Sequence, residues 1–163
     1  MLAGLLAACG GNQNPLQVTV ERCPAFAVVG GSGSLVRFQG EGRETDDVVL
    51  RASIANLELE CDQGGDVVSD ISFNILARRG PAMPESADVG LSYFIAVVRD
   101  NSLVVLKEIY DTRLRFDSGI ETVSREEELR QRLPEIEMAR RYNYEILIGF
   151  QLSDEELKYN LLR

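Results

Sequence analysis

Three cysteines, Cys9, Cys23 and Cys61, and 26 aspartates and glutamates are the groups in this chain with ligating or catalytic chemistry to offer. Histidine and tryptophan are absent. Histidine is the usual acid–base group near neutral pH and the commonest metal ligand. Its absence excludes Ser-His-Asp and Cys-His nucleophilic arrangements and the mixed Cys/His zinc sites. An enzyme built on this chain would have to use carboxylates, Tyr, Lys or Cys, and a glycosidase would use a pair of Asp or Glu. Among so many acids some pair always lies close, so proximity alone identifies none. The reading is therefore non-enzymatic, with no catalytic residue, no metal site and no cofactor.

Weaker candidates each have a plainer explanation. Glu41, Glu44, Asp46 and Asp47 could offer oxygens to a hard cation, but their spacing is not that of an EF-hand loop. A solvated loop accounts for them, and equally for Asp62 with Asp66. The glycines of the segment Gly30-Gly31-Ser32-Gly33-Ser34 lack the third glycine of a dinucleotide loop and the Gly-Lys-Ser/Thr of a P-loop. A turn accounts for them. Arg78-Arg79 and Arg140-Arg141 could contact anionic groups, with ordinary surface charge as the alternative. Lysine and arginine number 17, leaving a formal charge of −9. A chain this acidic is a poor ligand for nucleic-acid phosphates, and an anionic lipid surface would repel it.

Cys9 stands apart. Residues 1–8 carry no charge and are almost wholly apolar. The segment Leu6-Ala7-Ala8-Cys9 resembles a lipobox, the cleavage and lipidation site of bacterial lipoproteins. Small residues before the cysteine suit a signal peptidase. The resemblance implies that Cys9 becomes the mature N-terminus and carries acyl chains such as palmitate, each buried methylene adding ~0.8 kcal/mol of anchoring. No Lys or Arg precedes Cys9, so a basic segment is expected upstream of Met1. A buried N-terminal segment is the alternative for residues 1–8. Gly10-Gly11-Asn12-Gln13-Asn14-Pro15 follows as a flexible tether, spanning about 20 Å when extended. No later stretch reaches the ~20 apolar residues of a membrane-spanning helix.

Cys23 and Cys61 follow from the same compartment. Export would place them where paired cysteines are usually bridged, and a bridge would contribute about 4 kcal/mol in the chain-entropy model. Two free thiols or a two-ligand metal site are the rival readings. No C-x-x-C motif supports a redox role.

The elements that must position these residues read mostly as strands. Leu16, Val18 and Val20 alternate with polar neighbours. Short apolar runs follow at residues 25–29 and 35–38. Leu50, Ala52 and Ile54 keep one parity, whereas Leu57, Leu59 and Cys61 take the other. That phase switch predicts a β-bulge at Ala55-Asn56. Ile71, Phe73, Ile75 and Ala77 alternate, and residues 78–84 read as a loop. Residues 89–99 are apolar on both parities, as in a central strand covered on two faces. Asp100-Asn101-Ser102 turns into a long strand carrying Val104, Leu106, Tyr110, Leu114 and Phe116. Tyr142, Tyr144, Ile146, Ile148, Phe150 and Leu152 form another. Residues 124–142 stay open between a short helix, for which Ser124 and Glu127 make a capping box, and an edge strand. Ser153 and Glu156 make a second capping box, opening a helix through Leu157 and Leu161. About eight strands with turns between them predict an antiparallel, immunoglobulin-like β-sandwich with one or two short helices near the C-terminus. Residues 1–8 would be a signal-peptide remnant, 9–15 the lipidated cysteine and tether, and 16–163 one domain.

The ending Tyr144-Glu-Ile-Leu-Ile-Gly149-Phe150-Gln-Leu-Ser153-Asp-Glu-Glu156-Leu157-Lys-Tyr159-Asn160, with Cys23-Pro24-Ala25 and the lipobox, resembles a group of outer-membrane lipoproteins of alphaproteobacteria. The resemblance implies localisation at the periplasmic face of the outer membrane, which Gly10 after the lipidated cysteine also favours. It carries no activity and no site. The functional expectation is a lipid-anchored binding or scaffolding protein that contacts an envelope protein assembly. Tyr159, Leu161 and Leu162 are its candidate partner-binding residues, on a helix that could dock in a groove or pack on its own sandwich. A carrier of a lipid or small apolar ligand is the alternative, and a carboxylate-based hydrolase the third.

Overall fold

The computed structural model describes residues 23–62, 67–133 and 143–162. Their strands are β1 (Ala25–Val28), β2 (Ser34–Phe38), β3 (Val48–Asp62), β4 (Val67–Arg79), β5 (Ala87–Arg99), β6 (Leu103–Phe116), β7 (Thr122–Leu133) and β8 (Tyr144–Phe150). A short 3-10 turn precedes β3 and one helix, α1 (Asp154–Leu161), follows β8. The strands form two four-stranded sheets, ordered β1-β8-β5-β6 and β2-β3-β4-β7. All pairings are antiparallel except that of β1 with β8. The sheets pack face to face as a sandwich, as the strand count predicts. The expected strand at Leu16–Val20 lies outside the described residues.

Alternation drives the packing. Val48, Leu50, Ala52 and Ile54 of β3, then Ile71, Phe73, Ile75 and Ala77 of β4, turn one face inward. Leu91, Tyr93 and Ile95 of β5 and Ile146, Ile148 and Phe150 of β8 meet them from the other sheet. Each such side chain gains roughly 1.5–3 kcal/mol from leaving water. β5 lies between β8 and β6, and residues 95–98 are buried on both parities, as the uninterrupted apolar run requires.

Local irregularities sit where the sequence puts them. The register of β3 on β4 shifts between Ala55 and Glu58, and Asn56 adopts a left-handed φ of 52°. One extra residue there moves the inward parity from Ile54 to Leu57 and Leu59. Between β5 and β6, Asp100 and Asn101 have φ of 51° and 56°, the pair of positive values that a tight hairpin needs.

One expectation needs correction, and one open choice is decided. The loop expected from Arg78 starts later: Arg78 and Arg79 still belong to β4, and the turn begins at Gly80. Residues 122–133 are strand β7, an edge strand paired along its whole length with β4, which decides the open choice for this part in favour of the edge strand, so Ser124 and Glu127 cap no helix. Ladder pairing outweighs the local capping preference, and Val123 and Leu129 pack against the core. Residues 134–142 lie outside the described set. Ser153 does cap α1: its side chain accepts from the Glu156 N–H, and Glu156 accepts in return from the Ser153 N–H at 2.8 Å.

Candidate functional site

Cys9, Asp66 and Arg140-Arg141 lie outside the described residues. Cys23 and Cys61 are joined as a disulfide, their Cα atoms 5.7 Å apart. The bond ties the start of β1, at the edge of one sheet, to the far end of β3 in the other.

The other candidates have visible structural duties. Glu44 and Asp47 cap the 3-10 turn between them, with the Glu44 N–H donating to Asp47 at 3.0 Å. Gly31, at φ 79°, bends the β1–β2 turn, and Asn160 of α1 donates to the carbonyls of Gly31 and Ser34 at 2.9 and 2.7 Å. Tyr159 meets Phe38 edge to face at 5.0 Å. Arg43 binds Glu155 at 3.1 Å. The helix is therefore seated on its own sandwich through Tyr159 and Asn160. Leu161 and Leu162 remain 66% and 78% exposed at its end.

A larger exposed apolar surface lies elsewhere. β6 is the last strand of its sheet, and among the described residues nothing pairs with its outer edge. Its second half dips into the core through Thr112, Leu114 and Phe116. In its first half only Leu106 is partly buried, packed against Val97 and Leu133. Leu103, Val104, Val105 and Ile109 are between 45% and 57% exposed. Val104 and Ile109 are cross-strand partners of Val98 and Phe94 on β5, and of these two Val98 is itself buried. Lys107 lies 4.4 Å from the Phe94 ring centre. A long exposed apolar edge is a template for a further strand.

Midway along the inner side of the same strand lies a polar cluster. Glu127 of β7 reaches across to the opposite sheet, where Thr112 donates to it at 2.6 Å and the Tyr93 hydroxyl at 3.3 Å. Arg125 also donates to it, at 2.8 Å. Tyr93 and Tyr110 stack with ring centres 5.4 Å apart, and Tyr110 donates to Glu108. Burial, then its hydrogen bond to Glu108 and that carboxylate's charge, push the Tyr110 hydroxyl up to about 12. Burial and the Glu127 charge raise Tyr93 further. Both phenols are thus held neutral, as donors.

This cluster is a strut between sheets. Elsewhere Arg130 donates to both oxygens of Asp70, at 2.6 and 2.9 Å, and holds that carboxyl below its usual range. A general acid needs the opposite shift. Among the described residues no group of three or more acids or cysteines is arranged to hold a metal ion, and no helix is long and apolar enough to cross a membrane.

Sequence reasoning missed three features: the bare edge of β6, the strut at Glu127, and an opposed pair, Arg51 and Arg78, on the outer face of the second sheet. The run Leu103-Val104-Val105-Leu106 straight after a tight turn was the available signal for the first. The second was masked by the capping-box pattern, and the third needs the register. No family model, curated protein or solved structure matches this chain.

Proposed function

We propose that this chain is a non-enzymatic, lipid-anchored binding or scaffolding protein at the periplasmic face of the outer membrane. Acylated Cys9 would hold it there, with residues 10–15 as the tether. Its partner would be an envelope protein that adds an extended segment to the free edge of β6. The observation that carries the binding role is that edge: four large apolar side chains, 45–57% exposed, on a strand paired on one side among the described residues. Backbone N–H and C=O groups along such an edge supply affinity, and alternate side chains supply selectivity. Leu161 and Leu162, at the end of α1, are a second contact in the same reading. The Cys23–Cys61 bridge supports an oxidising compartment.

The anchor is tested by mass spectrometry of the native protein with cell fractionation. The expected result is an acylated Cys9 at the mature N-terminus and recovery in the outer membrane. An unmodified thiol at Cys9, or a cytosolic location, would remove the anchor and the compartment from the proposal.

A further inference from the structure

The outer face of the β2-β3-β4-β7 sheet holds a charge arrangement that costs stability. Arg51 on β3 is the direct cross-strand partner of Arg78 on β4. Residues opposed in this way have Cβ atoms roughly 4.5–5.5 Å apart, where like charges repel. Neither guanidinium makes a hydrogen bond or an ion pair among the described residues. Arg43, Arg115, Arg125 and Arg130 each bind a carboxylate. Arg79, next along, is fully engaged. It donates to the carbonyls of Pro84, Glu85, Asp117 and Ile120 and lies 5.5 Å from the Phe116 ring centre.

Carboxylates are not scarce, with 26 acids against 17 bases. On this face they are segregated. The row beside the arginines is Ser53, Leu76 and Ser124, and the next is Ala55, Asn74 and Glu126. Four residues along a strand is about 13 Å, longer than the Debye length of about 10 Å at moderate salt. Acids then dominate beyond the bulge, with Glu58, Glu60, Asp70 and Glu128. At the arginine end a groove of about 420 Å³ opens, lined by Arg51, Arg78, Gly80 and Pro81, with Glu121 as its carboxylate. Gly80 lets the chain pass close to β3 at this end: a Cβ there would meet the Val48 carbonyl oxygen at 2.0 Å.

We infer that Arg51 and Arg78 form a binding site for a phosphoryl anion. The same sheet face shows why the ligand is not a simple carboxylate. One guanidinium, that of Arg130, already takes both oxygens of Asp70. Two guanidinium forks carried by directly paired residues that line one groove, with Thr122 as the next cross-strand partner of Arg78, match an anion with more oxygens and more charge. Planar forks suit phosphate, and such charge-assisted bonds are about twice as strong as neutral ones. A bound phosphoryl group would also relieve the repulsion between the two arginines. It can come from free phosphate or from a phosphomonoester lipid headgroup.

The test uses the full chain carrying Cys9→Ser, oxidised, so that no acyl group confounds membrane binding. Inorganic phosphate is titrated at constant ionic strength while the arginine Nε–H resonances are followed. The same protein is then mixed with phosphatidylcholine vesicles with and without phosphatidic acid. Arg51→Gln/Arg78→Gln is the test variant. Arg113→Gln/Arg115→Gln, on β6, removes the same charge away from the groove. We expect saturable shifts at Arg51 and Arg78, a melting temperature that rises with phosphate, and at least a tenfold loss of affinity in the test variant alone. In phosphate-free buffer the test variant should be at least as stable as the parent, since it loses a repulsion. Binding to phosphatidic acid vesicles without binding of free phosphate assigns the site to a headgroup. Binding of free phosphate with no gain on vesicles assigns it to the soluble anion. Equal losses in both double variants, or no shift at Arg51 and Arg78 with either probe, would overturn the inference.

Discussion

Thr112 and Glu127 stand on opposite sheets and meet across the open side of the sandwich, hydroxyl to carboxylate, at 2.6 Å. Tyr93 shares the same carboxylate. The bond locks β7 of one sheet to the buried half of β6 in the other. It thereby fixes where β6 leaves the core and where its exposed apolar half begins.

Removing that acceptor is costly. Glu127→Ala leaves the Thr112 hydroxyl and the Tyr93 phenol without a partner in a mostly buried place, a loss of about 1–3 kcal/mol. Glu127→Gln keeps one acceptor oxygen and should lose less. The double variant Glu127→Leu/Thr112→Val removes the carboxylate together with the Thr112 hydroxyl, leaves only the Tyr93 phenol short of its acceptor, and should recover part of the loss. Urea denaturation of the four proteins checks the order.

The two stacked tyrosines make stability fall at high pH. An unfolded tyrosine ionises near 10, whereas Tyr110 is pushed up to about 12 and Tyr93 higher. Between those values the unfolded chain has released a proton that the folded chain retains. The stability is therefore fully present below pH 10 and declines as pH rises through the window towards 12, by at most ~1.4 kcal/mol per pH unit for each tyrosine. Absorbance titration should show phenols still protonated at pH 11 that ionise together with unfolding. If all five tyrosines ionise near pH 10 in the folded protein, the strut is misassigned.

The disulfide should matter most at the edge that it ties down. Cys23→Ser/Cys61→Ser is expected to lower stability by about 4 kcal/mol. Hydrogen exchange should quicken first in Ala25–Val28, while the central strand β5 stays protected. Equal acceleration in both strands would show that the bridge supports the whole domain rather than one edge.

Much of this architecture was legible in the sequence because it depends on alternation and on turn chemistry. The phase switch from Ile54 to Leu57 marks the bulge, and Asp100-Asn101 marks the hairpin. Ser153 with Glu156 marks the helix. The sequence also pointed to the pairing of Cys23 with Cys61, which sit 5.7 Å apart at Cα. Strand order was not legible. That β1 pairs with β8, at the other end of the chain, is a long-range contact that no local pattern encodes. The same holds for the functional surfaces. Val104 shares the apolar pattern of Leu114 and Phe116 in sequence, yet it and Ile109 are exposed on the outer face of β6. Arg51 and Arg78 become neighbours only through the β3–β4 register. Ser124 and Glu127 misled because a local capping pattern competes with a ladder that the sequence does not display.

The central claim is that the free edge of β6 receives a strand from an envelope protein. Its most direct measurement is photo-cross-linking in living cells from a benzoylphenylalanine placed at Val105, with Glu58 on the opposite sheet as the control position. The account predicts a discrete adduct between this chain and one other envelope protein from position 105, none from position 58, and loss of the adduct when Val104 is replaced by Lys. Adducts of equal yield from both positions, or a position-105 adduct that Val104→Lys leaves unchanged, would contradict it.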